Sequence, residues 1–318
     1  MPDLAGRRIL VTGAGGFIGA NLVRALLECR ALVTGVVRPG SNPWRLTEVE
    51  DDLDLLPADA PVPGALDHAV TCAQPELAVH LALPAGHPQT SSERLEQLET
   101  SVLGTARLLE ALAAAGCSRL VHVGSSLEYG SRAEPMREDD PLAPVVPRGA
   151  VKAAATLVCL AWARALAIPA VVLRPFSVYG PWEGYDRLVP SALRAALDGT
   201  ELSLTSPGIV HDFVYVGDVV DGIVRGLAAP PRADGQIDNI GSGVQTTNEE
   251  LVAIVGRVVG RDVRTLPGTH PAGPHDSGSW VADVERGREL LGWVPSTQLE
   301  EGLRYTLAWL EERSGVRS

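Results

Sequence analysis

The seven residues Gly13-Ala14-Gly15-Gly16-Phe17-Ile18-Gly19 follow a short β-rich run and open a helical pattern. Glycines in this setting permit a tight turn and let backbone amides approach a pyrophosphate, with a helix N-terminus facing the negative charge. The spacing predicts dinucleotide binding by Gly13, Gly15, Gly16, Phe17, Ile18 and Gly19. The next strand run ends at Val37-Arg38. An acid there would accept a hydrogen bond from the ribose, whereas an arginine fork pairs with a 2′-phosphate, so Arg38 predicts NADPH/NADP. Lys152 is the only lysine, against 26 arginines. Codon bias explains the missing lysines but not the one that remains.

The elements that must position these residues alternate as βαβ units. Strands are expected at 8–12, 31–37, 76–83, 120–124 and 170–173, with a weak one between 40 and 65. Helices are expected at 17–29, 93–115 and 150–166. Beyond Arg174-Pro175 the segments shorten and prolines punctuate them, which predicts a smaller second lobe. The expected fold class is α/β, a doubly wound parallel Rossmann sheet with a smaller C-terminal substrate lobe. The dinucleotide-binding domain is placed at 1–174. The mainly substrate-binding lobe is placed at 175–318, with some segments returning to the first. Thr247-x-x-Glu250 reads as a capping box opening a helix over 245–260, and 267–278 reads as a loop.

Composition excludes several classes. Hydrophobic residues at 45% and charged residues at 21% exclude disorder for the bulk of the chain. A net charge of −12 argues against nucleic-acid binding and against docking on anionic lipid. No window reaches ~18 uninterrupted apolar residues, and no secretory leader is evident, so a cytoplasmic protein is expected. Cys29, Cys72, Cys117 and Cys159 lie far apart and read as free thiols. His68, His80, His87, His122, His211, His270 and His275 show no H-x-x-x-H spacing, so no metal site is expected. His122 reads as a packed strand residue, and Glu183 and Asp186 as solvated.

Longer motifs resemble the extended branch of the short-chain dehydrogenase/reductase superfamily, which is NAD-dependent and epimerase/dehydratase-like. These motifs are the G-x-x-G-x-x-G turn, His80-Leu81-Ala82-Leu83, Ser125-Ser126-Leu127-Glu128-Tyr129-Gly130, Leu173-Arg174-Pro175-Phe176-Ser177-Val178-Tyr179-Gly180-Pro181, His211-Asp212-Phe213-Val214 and Leu291-Gly292-Trp293. The resemblance covers nearly the whole chain. It implies cofactor contacts from Asp54, Leu55, Leu81, Ala82, Leu83, Pro175, Ser177 and Val178, and substrate contacts from Ser126, Tyr179, Trp182 and His211. It places Ser125 and Lys152 at catalytic positions, with Lys152 gripping the nicotinamide ribose. The family's tyrosine, four residues before the lysine, is here Arg148. Arginine is a poor proton donor at neutral pH, so its role is open. The two long helices match the family's dimer helices, and a monomer or a homodimer is expected.

Nucleotide-sugar members usually grip the substrate diphosphate with arginines at two places. Here those read His211 and Pro271-Ala272-Gly273-Pro274-His275-Asp276. The double absence predicts a substrate without a diphosphate. Together with Arg38 and the missing tyrosine, it resembles a tailoring reductase of antibiotic biosynthesis. The expected function is therefore an NADPH-dependent ketoreductase of a phenolic, angucyclinone-type polyketide, with the proton supplied by the substrate phenol, Ser125 or water. The alternatives are a nucleotide-sugar epimerase or 4-ketoreductase, and a non-catalytic NADP-binding protein.

Overall fold

Runs such as Ile9-Leu10-Val11 and Leu120-Val121 lack the alternation of a half-solvated strand, so both faces of their sheet must be covered. A computed structural model of the chain describes residues 3–84, 86, 88–230, 235–273, 276 and 278–315. His87, Pro274 and His275 lie outside the described residues. The chain runs β1 (Arg8–Thr12), α1 (Phe17–Glu28), β2 (Leu32–Val37), β3 (Asp54–Pro57), α2 (Ala65–Ala73), β4 (Leu77–His80), α3 (Ser91–Leu98), α4 (Gly104–Ala114), β5 (Arg119–Val123), α5 (Pro147–Ala165) and β6 (Ala170–Pro175). It continues through β7 (Ser177–Tyr179), α6 (Leu188–Asp198), β8 (Glu201–Ser203), β9 (Val210–Tyr215), α7 (Val216–Ala228), β10 (Gln236–Ile240), β11 (Gln245–Thr247), α8 (Asn248–Val259), β12 (Arg264–Leu266), α9 (Glu285–Leu291) and α10 (Leu299–Gly315).

Seven strands form one parallel sheet in the order β10-β6-β5-β4-β1-β2-β3. Leu22, Val23 and Leu26 of α1 and Val219, Ile223 and Val224 of α7 seal one face. Leu66 and Val70 of α2, Leu108 and Leu112 of α4, and Cys159 and Ala163 of α5 seal the other. The sheet is therefore doubly wound. Its strand order reverses between β1 and β4, which opens a crevice at the carboxyl ends of the strands. Two small sheets, β11-β9-β7 and β12-β8, complete the strand set of the described residues. A further core joins α6, α8 and α10 through Leu193, Leu251 and Leu303.

Several elements differ from the sequence reading. The helix expected at 93–115 is split by a π turn at Glu99–Leu103 into α3 and α4. Gly104 follows that turn and packs where a Cβ would lie 2.9 Å from that of Ala60. The strand expected to reach residue 83 ends at His80, and 81–83 lead into a loop. Residues 65–73, given no element, form α2, with Leu66, Ala69 and Val70 at helical spacing on its buried face. The Thr247–Glu250 capping box is present at the start of α8, with both reciprocal hydrogen bonds. All four cysteines are free. Among the described residues, no helix is long and apolar enough to cross a membrane.

A buried ionic network joins β5, β6, α5 and β10. Arg174 Nε donates to Glu128 Oε2 at 2.8 Å, and both side chains are 2% exposed or less. Glu128 Oε1 accepts from the Ser125 amide and the Thr156 hydroxyl. Arg174 Nη1 donates to the Tyr129 hydroxyl, which donates to Asn239 Oδ1. Breaking such a pair from one side strands a buried charge. Arg174→Met is expected to lower stability by about 3–5 kcal/mol. In urea unfolding, adding Glu128→Gln to this variant should recover part of the loss.

Candidate active site

The turn after β1 is shaped for close backbone approach. Gly13 has φ +73°, and a Cβ there would sit 3.0 Å from the Ala82 nitrogen. The Gly13 amide donates to Val36 O. A Cβ on Gly19 would overlap the Gly13 carbonyl oxygen, so only glycine lets α1 start this close to the turn. The α1 N-terminus has no side-chain cap and no acid in its first turn. Its amides and dipole are thus uncompensated by side chains, which fits a pyrophosphate. Leu81 and Ala82 meet Gly13 from the end of β4, and Leu83 lies in the same loop. Leu55 of β3 lies in register with Gly35 of β2, next to the exposed Asp54.

Ser125 stands two residues beyond β5. Its hydroxyl accepts from the Leu127 amide at 3.2 Å and caps the 3-10 turn Ser126–Glu128. Lys152 and Arg148 lie one turn apart on α5. Lys152 Nζ donates to Val123 O at 2.6 Å and is buried. Burial and then the Arg148 charge lower its pKa from 10.5 to about 8, against an upward pull from Glu128. Arg148 Nη1 donates to the carbonyls of Pro84 and Gly86, at 2.9 and 2.8 Å. Burial and then Arg187 lower the Arg148 pKa to about 10. The β5 loop, the β4 loop and the α5 N-terminus are thus pinned to one another by the side chains at the catalytic positions.

Ser177 and His211 meet across the β7–β9 pair, with Oγ and Nδ1 3.4 Å apart. Pro175 ends β6, and Val178 packs against the core beneath α1. The other expected substrate residues are turned away from open surface. Ser126 is buried and accepts from Trp280 Nε1. Tyr179 is buried, and its hydroxyl donates to Leu299 O. Trp182 is buried against Trp44 and Trp309, with Arg24 and Arg313 over its ring at 3.9 and 4.2 Å. Tyr179 and Trp182 are therefore packing residues. Their place within or just after the Leu173–Pro181 motif does not carry their side chains to the surface. Glu183, read as solvated, is buried, and burial raises its pKa to about 8.

Arg45, Asn21 and Glu96 had no role in the sequence reading. Arg45 Nε donates to Trp182 O at 2.7 Å, and Asn21 Nδ2 donates to Pro181 O at 2.9 Å. These bonds tie the phosphate-turn side of the fold to the segment after β7. Arg38 Nη1 is held by Glu96 Oε1 of α3 at 2.9 Å. Glu128 and Arg174 were visible only as motif letters, since nothing local says that residues 46 apart pair. Among the described residues, no group of three metal-binding side chains occurs.

A doubly wound parallel sheet with a glycine turn beneath a bare helix N-terminus defines a dinucleotide-binding Rossmann protein. The chain belongs to the NAD dependent epimerase/dehydratase family, whose model matches residues 9–241. It is 33% identical over 96% of its length to a UDP-glucose 4-epimerase of Mycolicibacterium smegmatis, covering 99% of that protein. It is 30% identical to a dTDP-glucose 4,6-dehydratase of Streptomyces griseus, over 95% of this chain and 93% of that one. The solved structure of MoeE5 in complex with UDP-glucuronic acid and NAD superposes with a TM-score of 0.84 at 31% identity, covering 96% of this chain and 99% of that one.

These relatives overturn the expectation of an NADPH-dependent polyketide ketoreductase. They match the chain end to end, and their names and ligands are those of nucleotide sugars and NAD. The inference of a substrate without a diphosphate rested on two missing arginines and falls with that expectation.

Lys152 gives this site a measurable signature. Its folded pKa is depressed, so the unfolded chain binds the extra proton between pH 8 and 10.5. Burying the ammonium therefore opposes folding below pH 8, and the opposition fades as pH rises through that window. The shift corresponds to about 3 kcal/mol, offset by about 1 kcal/mol for the bond to Val123 O. Lys152→Met is expected to gain about 2 kcal/mol in urea unfolding at pH 7. The gain should shrink toward pH 10, while dinucleotide affinity falls at every pH.

Proposed function

We propose that the protein acts on a nucleotide sugar as an epimerase or 4-ketoreductase, with NAD as its dinucleotide. The observation that carries this reading is the end-to-end match to the UDP-glucose 4-epimerase at 33% identity. When bound, the dinucleotide supplies the acceptor and donor of hydride at the sugar carbon. The chain's own residues must then bind the diphosphate, orient the sugar oxygen and take its proton.

For the diphosphate, Arg187 is the candidate that replaces the missing arginines. It occupies the N-cap position of α6, a helix with no side-chain cap and no acid in its first turn. Its guanidinium is largely exposed, with Nε 3.8 Å from the buried Glu183 carboxyl, whose pKa burial raises to about 8. It lies near enough to Arg148 for its charge to act there. A cation and a bare helix N-terminus together suit an anion.

For the proton, Arg148 stands where the family carries its tyrosine, and a guanidinium does not serve as base. Lys152 is the group able to titrate. With a pKa of about 8 it is partly neutral at physiological pH. The neutral fraction of Lys152 takes up the proton that the sugar hydroxyl loses, while hydride leaves the same carbon for the dinucleotide. Lys152 Nζ is bonded to Val123 O and Ser125 Oγ to the Leu127 amide, so the transfer requires Nζ to turn from that carbonyl. Ser125 orients that oxygen, and Arg148 lowers the lysine pKa and holds the β4 loop.

The test is turnover of UDP- and dTDP-hexoses in the presence of NAD, followed by proton NMR of the sugar C4 position. Oxidation should speed up as pH rises through about 8 and then level off. Ser125→Ala should lower kcat by about 10²–10⁴-fold. No turnover of any UDP- or dTDP-hexose, with tight NAD binding retained, would leave a binding protein instead. The tether of Arg148 to two backbone carbonyls favours that second reading. Arg148→Tyr separates the two. On the enzymatic reading it restores a phenolic acid–base and should raise kcat at least about tenfold. On the binding reading it changes nothing.

A further inference from the structure

Arg38 follows β2 directly, beside the phosphate turn. Val36 O receives the Gly13 amide, and a Cβ on Gly15 would lie 3.7 Å from Val37 Cγ1. The backbone of Arg38 is fixed by its carbonyl, which accepts from both the amide and the hydroxyl of Ser41, at 3.1 and 2.6 Å. An arginine here can grip a 2′-phosphate. Its guanidinium, however, is engaged by a carboxylate from another element. Glu96 Oε1 of α3 lies 2.9 Å from Nη1, and both side chains are about half exposed. An exposed pair of this kind contributes little to stability. Its effect falls on what binds next to it.

We infer that Glu96 is a specificity-determining residue that holds down NADP(H) relative to NAD(H) by occupying Arg38. A 2′-phosphate must share or displace Glu96 to reach the guanidinium, and the carboxylate repels its charge within a few ångströms. NAD carries a 2′-hydroxyl there and meets no such repulsion. Arg38 alone would favour NADP(H), and Glu96 cancels that preference, which leaves the site open to NAD as proposed above. This inference rests on the dinucleotide site and not on the sugar chemistry.

The experiment is calorimetric titration of the full-length protein with NAD, NADP and their reduced forms, for wild type, Glu96→Gln and Glu96→Gln/Arg38→Ala. Removing one charge at this range under physiological screening should strengthen NADP(H) binding about fivefold in Glu96→Gln. NAD(H) affinity should change less than about twofold, and the double variant should lose the NADP(H) gain. An unchanged NADP(H)/NAD(H) ratio in Glu96→Gln, with both bound, would overturn the inference. So would a gain that survives removal of Arg38. Failure of the wild type to bind any dinucleotide would overturn the underlying site as well. Low-salt titrations should widen the difference and 1 M salt should erase it, a dependence that a merely structural role for Glu96 would not produce.

Discussion

The site hangs on one buried ion pair. Glu128 reaches back from the turn after β5 and receives three donors: the Ser125 amide, the Thr156 hydroxyl of α5 and Arg174 Nε of β6. Ser125, Lys152 and the end of β6 belong to three elements joined only through long chain segments. An interior carboxylate with a full set of donors fixes their separation more tightly than apolar packing can, because each bond has a direction and each unmade bond is expensive. The network continues through Tyr129 to Asn239, whose amide binds Glu138 and whose side chain binds Met136 O. A segment from the last strand of the main sheet thereby supports the same loop. Asp212 and Asp218 serve similarly: one caps Ser242 and Gly243, the other Ser296 and Thr297.

That rigidity explains how a lysine can be buried at the carboxyl end of β5, an interior strand of the sheet. Lys152 donates to Val123 O, and of its two charged neighbours Arg148 adds to the cost of burying the ammonium while Glu128 offsets only part of it. A flexible frame would let the ammonium escape to water. Here the α5 N-terminus is held by Thr156 on one side and by the Arg148 bonds to Pro84 and Gly86 on the other. The buried row Thr12, His80 and Thr105 closes the space below, with His80 bonded on both ring nitrogens and its pKa lowered to about 3 by burial and Lys152. His80 is therefore neutral, and the cationic groups nearest the end of β4 are Lys152 and Arg148 of α5.

Legibility followed the range of the constraint. The glycine turn could be read from sequence because Gly13 and Gly19 answer backbone requirements within a few residues. The Thr247–Glu250 cap and the parallel sheet were readable for the same reason. The π turn at Glu99–Leu103 was not, because its residues have ordinary helix formers on both sides and its register shift answers packing against Ala60. The family resemblance implies substrate contacts from Tyr179, within the Leu173–Pro181 motif, and from Trp182, which follows it. β7 has only three residues, too few for alternation to show which face is buried. Trp182 has φ +71°, a conformation no propensity would assign to tryptophan, and Arg45, Arg24 and Arg313 hold it there. The Arg38–Glu96 pair was equally invisible, since it joins β2 to α3 across 58 residues.

The error over the substrate has a physical root as well. Two absent arginines were taken as the absence of an anion. A diphosphate needs positive potential and donors, and neither is tied to one position in the chain. In the function proposed above, Arg187 with the bare start of α6 would provide both, and Arg148 would add a second guanidinium in its field. In that proposal, the arginine at position 148, where the resemblance implies a tyrosine, would also strengthen the cationic side of the cleft. Arg148 makes the lysine easier to deprotonate, and it would make an anionic substrate easier to hold. Those two effects act together: a charge that attracts the substrate also lowers the pKa of the one amine beneath it, so affinity for an anion and basicity at Lys152 cannot be tuned independently at this position.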